Sequence, residues 1–190
     1  MKFYFLAVLL LFASCARPAQ KGDPIVAVQE AVFRFQFDHN ASVGQQRVAV
    51  YFLALGNYLE KEAIDPPDDF LARFSGNKPR VAKYSEAGRT GNDWVIDRKT
   101  KEPGIIFFVH DIRITGSDTA EAQGGYHEHS RSASTNTYTL KLGWRGWRVV
   151  SARMDGIAER LPNQPLERNA DIRHARCCAP VAPAAVVAHL

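Results

Sequence analysis

The sequence predicts an α+β fold, with helices early in the chain and an antiparallel sheet after them. Residues 23–40 combine a helix-start signal with helical spacing of apolar side chains. From residue 94 onward, five segments have strand-like composition, and three of the breaks between them carry turn-forming residues. Because the connections are short, neighbouring strands are expected to pair antiparallel. Helices followed by such a meander are typical of the α+β class.

Length and composition indicate one soluble globular domain with additional segments. The chain has 190 residues, of which 46% are hydrophobic and 23% charged, values typical of globular proteins. The net charge is +4, and Lys and Arg are spread along the chain rather than gathered in a run. This distribution does not predict nucleic acid as a partner.

The first fifteen residues have the layout of a secretory signal peptide. Lys2 precedes the apolar run "FYFLAVLLLF", and the small residues of "ASCA" follow; the run is too short to span a bilayer comfortably. "FASC" resembles the lipobox of bacterial lipoproteins, which implies that Cys15 is the lipid anchor and that the partner is a membrane. With Ala16 next, the resemblance implies the cell envelope or periplasm, at the outer membrane; plain secretion is the alternative. Residues 16–22 are interpreted as a tether.

The domain is predicted to begin with a helix. Asp23 is a suitable N-cap and Pro24 suits the first helical position. The segment "VFRFQFD" also alternates as a strand would, but the cap and the length favour the helix. Helical spacing is shown by Ile25, Val28, Val32 and Phe35.

The next segments are predicted from short local patterns. Residues 47–55 are apolar and β-branched, which indicates a strand, and residues 65–74 indicate a short helix after a proline turn. Residues 75–93 are rich in Gly, Asn, Lys and Ser and are interpreted as a loop. The domain is expected to cover residues 23–157. The inward-facing side chains of the short helix are expected to be Phe70, Leu71 and Phe74.

Residues 158–190 are predicted to be a disordered or loosely packed tail, because they show little periodicity. This tail contains the adjacent Cys177 and Cys178, and adjacent cysteines rarely bridge each other. No disulfide framework is therefore predicted.

The five predicted strands are "WVIDRKT", "GIIFFVHDIRIT", "DTAEAQGGYHEHSRSAS", "NTYTLKLG" and "WRVVSARM".

This order of features resembles the cystatin-like or NTF2-like α+β superfamily. The chain is also similar to uncharacterised exported bacterial proteins that carry an "AVFRFQFDHNAS"-like helix, a "YFLAL" strand, "DPPDDFLARF" and a "GGY" strand. The resemblance covers residues 28 to about 155, and it implies a strongly bent sheet that wraps a helix and leaves a conical hollow. We predict a binding module for a small ligand or a protein partner; a structural or assembly role through the sheet face, such as a homodimer, is left open. The alternative is a small pocket enzyme that performs isomerase- or dehydratase-like acid–base chemistry.

The stretch "GGYHEHS" is the most conspicuous candidate site. Alternation along a strand places His127 and His129 on a polar face, opposite Tyr126, so they are predicted to be exposed. Even with Glu121 they fall short of the four ligands of a closed zinc site, and Arg131 opposes a cation, so no metal is predicted. The alternative is a β-bulge at the glycine pair, which would turn both histidines into the hollow.

No catalytic residue and no cofactor are predicted. His110 shares a face with Ile106 and Phe108, which is typical of a core histidine, and Asp111 should point away from it in a regular strand. If the protein is an enzyme, the sequence favours Asp111, His127 and His129 as its acid–base cluster.

Overall fold

The computed structural model describes residues 22–39 and 48–156 and confirms the α+β class. A mixed, mostly antiparallel six-stranded sheet is accompanied by two α-helices and a separate two-stranded hairpin. All described residues belong to one compact unit. The predicted signal peptide and the predicted tail, with Cys15, Cys177 and Cys178, lie outside the described residues, as does all of the predicted tether except Gly22.

The helices are α1 (Pro24–His39) and α2 (Asp68–Ala72), and a single 3₁₀ turn covers Tyr84–Glu86. The strands are β1 (Val50–Leu55), β2 (Arg80–Lys83), β3 (Ala87–Arg89), β4 (Val95–Asp97), β5 (Gly104–Ile114), β6 (Thr119–His129), β7 (Ser132–Gly143) and β8 (Gly146–Gly156).

The strand order of the large sheet is β2-β1-β5-β6-β7-β8. The meander β5 to β8 is antiparallel, as predicted, but the first of the five predicted strands, "WVIDRKT", does not join it, because β4 pairs with β3 in the separate hairpin. Strand β1, for which no pairing was predicted, lies parallel to both β2 and β5 and makes the sheet mixed. The chain between β1 and β5 is long enough for the crossover that parallel neighbours require, whereas the meander has tight turns.

Helix α1 forms as the cap signal predicted. An Asp23 side-chain oxygen, Oδ1, accepts the backbone N–H of Ile25 at 2.8 Å. Phe33 and Phe37 are buried in the core, whereas Phe35 is only partly buried, so the three do not share one face as they would in a strand. The Phe37 ring lies 5.4 Å from that of Phe107 on β5, which fixes the helix against the sheet.

Strand β5 is buried on both faces. Ile105 and Phe107 pack in the core that α1 covers. Ile106 and Phe108 pack into a second core on the opposite face, with side chains of β1, β3 and β4. Two-sided burial explains why this part of the sequence is continuously apolar instead of alternating.

The second core corrects the prediction that residues 75–93 form a loop. This segment contains β2, the 3₁₀ turn and β3, and β3 pairs antiparallel with β4. Strands of three or four residues produce almost no periodic signal. The hairpin β3–β4 and the connection that follows β1 provide the layer that covers the sheet opposite α1.

The β6–β7 boundary also differs from the prediction. One strand was expected from Asp118 to Ser134, with a break at "STNT", but β6 ends at His129 and β7 begins at Ser132. The sheet has irregular register next to Asp111, which has φ 49°, and between His127 and His129. A bulge at the glycine pair was the alternative, and pairing there is regular on both sides.

Gly124 and Gly125 are needed because neighbouring strands approach them closely. A Cβ on Gly125 would lie 1.8 Å from the backbone oxygen of Ser134, and one on Gly124 would lie 2.3 Å from that of Phe108. Both contacts are with backbone atoms, which cannot swing aside. A side chain at either position therefore requires the strands to separate.

We expect Gly125→Ala to lower the free energy of unfolding by about 3 kcal/mol or to prevent folding, because overpacking against backbone costs this much. Gly76→Ala is the matched control, since a Cβ there meets nothing within 4 Å. Urea denaturation followed by tryptophan fluorescence measures both. Equal stability of the two variants would show that the strands are not closely packed at Gly125.

Candidate functional site

His127 and His129 face the layer opposite α1. The predicted alternation is correct, since Tyr126 packs in the core on the α1 side. The predicted exposure was wrong for His127, which is 8% exposed. His129 is half-buried, and its ring lies 4.0 Å from that of Trp94. Both histidines are covered because the β3–β4 hairpin lies over this face, which alternation within β6 alone cannot reveal.

His127 belongs to a group of four side chains, which we call the His127 cluster: Tyr58, Arg89, Asp93 and His127. Arg89 forms an ion pair with Asp93 and donates a hydrogen bond to the Tyr58 hydroxyl. His127 Nε2 lies 3.6 Å from Asp93 Oδ2, and the Tyr58 and His127 rings are 5.5 Å apart. Asp93 follows β3 in the hairpin turn, so the cluster ties the hairpin to β6.

Burial determines the protonation states in the His127 cluster. Burial, reinforced by the positive charge of Arg89, lowers the pKa of His127 to about 4, against the opposing effect of Asp93. Burial raises the pKa of Tyr58 to about 12. At neutral pH the imidazole and the phenol are therefore both uncharged, and the ion pair of the cluster is Arg89 with Asp93.

The predicted acid–base cluster does not assemble. His127 pairs with Ile106 on β5, and Asp111 lies five residues further along that strand, which is roughly 16 Å at 3.3 Å per residue. Asp111 instead contacts His110, with 3.0 Å between Oδ2 and Nδ1. The irregular backbone at Asp111 makes this contact possible, so the expectation that the two side chains point apart was wrong.

Two further histidines, His110 on β5 and His39 at the end of α1, have simple structural roles. His110 stacks on Phe108 at 6.1 Å between ring centroids, on the face predicted for it. His39 Nδ1 lies 3.1 Å from the Phe35 carbonyl oxygen, so this histidine caps the last turn of α1.

The hollow expected under α1 is nearly filled. A cavity of about 60 Å³ remains between the end of α1 and strands β6, β7 and β8, room for a few water molecules. Gln36 is buried in the wall of this cavity, and its Nε2 donates to the Phe108 carbonyl oxygen at 3.2 Å. On this side of the sheet, the conical hollow that the resemblance implies corresponds to this small cavity.

The larger cavity lies on the opposite face and measures about 660 Å³. We call it the second-face cavity. Its walls come from the segment after β1, the 3₁₀ turn, β3 and the residue after β4. The lining residues are Tyr58, Ala63, Ile64, Asp65, Tyr84, Ser85, Ala87, Gly88, Arg89, Arg98 and Ile106.

The second-face cavity combines an apolar surface with a few polar groups. The rings of Tyr58 and Tyr84 meet edge-on with centroids 5.8 Å apart, and Ile106 lies beside them in the lining. Ile64 lines the cavity while 64% exposed. Arg89 and Arg98 supply positive charge. Apolar walls with few charged groups are typical of sites that bind small organic molecules.

Sequence reasoning missed the second-face cavity because five of its eleven lining residues lie in the segment interpreted as a loop. The available signal was "RTGND", in which a basic and an acidic residue flank a turn four positions apart. That spacing is compatible with a closed hairpin. However, His127, the residue on β6 that Asp93 contacts, is more than thirty residues away in sequence.

Neither a metal centre nor a membrane span is found in the part of the chain that the structure describes. Within residues 22–39 and 48–156, no three or more His, Cys, Asp or Glu side chains are grouped so as to hold a metal ion. Over the same residues, no helix has the length and apolar character needed to cross a bilayer.

No protein-family model, no curated protein and no solved structure matches this chain. Function is therefore inferred from the geometry of the described residues.

We expect acid to destabilise the fold through His127. Its pKa is about 4 in the folded protein, against an ordinary value of 6.5, so protonation favours the unfolded chain. The contribution of His127 to stability is complete above about pH 6.5 and decreases as the pH falls towards 4. Between pH 7 and pH 5 the free energy of unfolding should fall by about 2 kcal/mol from this residue.

Urea denaturation at both pH values measures this loss in the wild type and in His127→Gln, which should lose distinctly less. Gly76→Ala, which changes no titratable group, is the control and should keep the wild-type pH dependence. An unchanged loss in His127→Gln would assign the acid sensitivity to other groups.

Proposed function

We propose that this protein is a binding module that holds a small amphipathic ligand in the second-face cavity. The observation that carries the proposal is the volume and lining of this cavity. About 660 Å³ falls within the range of roughly 300–1,000 Å³ that is usual for small-molecule sites. Two tyrosine rings and isoleucine side chains supply the apolar surface, and arginines supply charge at its border.

Binding is favoured over acid–base catalysis by the position of His127. Its Nε2 is buried and lies 3.6 Å from Asp93 Oδ2, and it has no hydrogen-bond partner among the residues that the structure describes. His127 does not line the second-face cavity, whereas its neighbours Tyr58 and Arg89 do. The His127 cluster thus supports the wall of the cavity. A general base would have to reach the bound molecule, and His127 does not line the cavity that would hold it.

The setting we propose is the one that the N-terminal sequence predicts: export, lipidation at Cys15 and attachment to the cell envelope, with secretion as the alternative. A helix packed on a mostly antiparallel sheet is compatible with NTF2-like or cystatin-like kinship, which we retain as a proposal. A protein partner or a homodimer through the sheet face stays a prediction.

Filling the second-face cavity should abolish binding. Ser85 is exposed and lines the cavity, so Ser85→Trp adds an indole where we expect the ligand. Native mass spectrometry of the full chain, released from detergent micelles, should show an additional ligand mass on the wild type and at least a tenfold lower occupancy on Ser85→Trp. Ser151→Trp, on exposed β8, is the control and should retain the ligand. Equal occupancy in both variants would place the ligand elsewhere.

Lipidation predicts a separate result. Cys15→Ser should lose both radiolabelled palmitate incorporation and membrane association on cell fractionation, because the thiol is the proposed attachment point. An unchanged membrane fraction would contradict the lipid anchor and leave the proposal on the cavity intact.

A further inference from the structure

We propose that the ligand of the second-face cavity carries an anionic group, a carboxylate or a phosphate, and that Arg98 binds it. The inference rests on the proposed function, since it requires this cavity to be a ligand site, and it specifies the chemical class of the ligand. Two observations support it. Contacts with β3 hold the Arg98 side chain in place, and its two terminal nitrogens have no acceptor among the described residues.

The Arg98 side chain is fixed by contacts with β3. Its Nε donates to the Ala87 carbonyl oxygen at 2.6 Å, and its backbone N–H donates to Glu86 O at 3.0 Å. Its Cγ lies directly over Gly88, where a Cβ would come within 2.9 Å of it. Gly88 therefore provides the space that lets this side chain lie across the strand, and the guanidinium is positioned before any ligand arrives.

The two terminal nitrogens of Arg98 have no acceptor in the described part of the chain. The other arginines of this layer differ, since Arg89 is paired with Asp93 and Arg80 with Asp97. A guanidinium presents a planar fork of donors that matches the two oxygens of a carboxylate or a phosphate. A positioned and unpaired fork at the edge of an apolar cavity is what an amphipathic anion requires.

Asp65 is the acidic side chain of the lining, and it already has a structural partner. Its Oδ1 accepts the backbone N–H of Ser85 at 2.7 Å, which holds the 3₁₀ turn against the segment after β1. The lining thus contains two arginines against one aspartate. We infer that the anionic group of the ligand lies at Arg98 and that its apolar part lies along Tyr84 and Ile106.

Four probes that share one apolar body test the inference: 4-phenylbutyrate, 4-phenylbutyl phosphate, 4-phenylbutan-1-ol and 4-phenylbutylamine. Each is titrated into the full chain in detergent, with empty micelles as the blank, and ligand-observed NMR gives the Kd. We expect the two anions to bind at least tenfold more tightly than the alcohol, and the amine more weakly than the alcohol. Saturable binding of all four should be lost in Ser85→Trp.

The variants assign the preference to one residue. Arg98→Gln should reduce the anion-to-alcohol ratio of affinities to about one, whereas Arg98→Lys should retain part of the preference for anions. Arg148→Gln, on exposed β8, is the control and should behave as the wild type. The thermal unfolding midpoint of each variant verifies that it is folded.

Other outcomes overturn the inference in distinguishable ways. Equal binding of the alcohol and the anions, lost in Ser85→Trp, would contradict the anionic ligand and keep the binding module. Tightest binding of the amine, lost in Asp65→Asn, would make Asp65 the anchor. The absence of saturable binding for every probe, or binding that Ser85→Trp does not change, would overturn the proposed function as well.

Discussion

The two-sided burial of β5 is the constraint on which the rest of the structure depends. Phe107 is fully buried on one face of this strand and Phe108 is 1% exposed on the other. A single layer of helix cannot remove both faces from water, so the chain must supply a second cover. Helix α1 provides one cover, and the β3–β4 hairpin with the segment after β1 provides the other. The second-face cavity lies where this second, thinner layer leaves space above the sheet.

The part of the fold that could be predicted has local signals. The start of α1 depends on Asp23 and Pro24, and the meander depends on long strands separated by turn residues. The part of the fold that could not be predicted depends on contacts between segments that are distant in sequence. Strands β3 and β4 have three residues each, so their pairing is stabilised by the sheet beneath them and not by their own periodicity.

The features of the candidate site also divide into those with local sequence signals and those that depend on distant segments. Alternation along β6 correctly separated Tyr126 from His127, because the direction of a side chain is a local property of a strand. Burial is not local. It depends on whether another layer covers that face, and the residues responsible are Tyr58 and Asp93, both far from His127 in sequence. The glycine pair was recognised as unusual, but its reason is the close approach of neighbouring strands, which alternation cannot show.

The parallel pairing of β1 with β5 also determines the order in which the polypeptide can acquire its structure. Val50 is aligned with Gly104, so the first strand has no neighbour on that side until more than fifty further residues have left the ribosome. Closing so long a segment costs entropy before any contact repays it. A nascent chain must therefore carry β1 without its β5 partner through early synthesis, and the meander is the part that can form from adjacent segments.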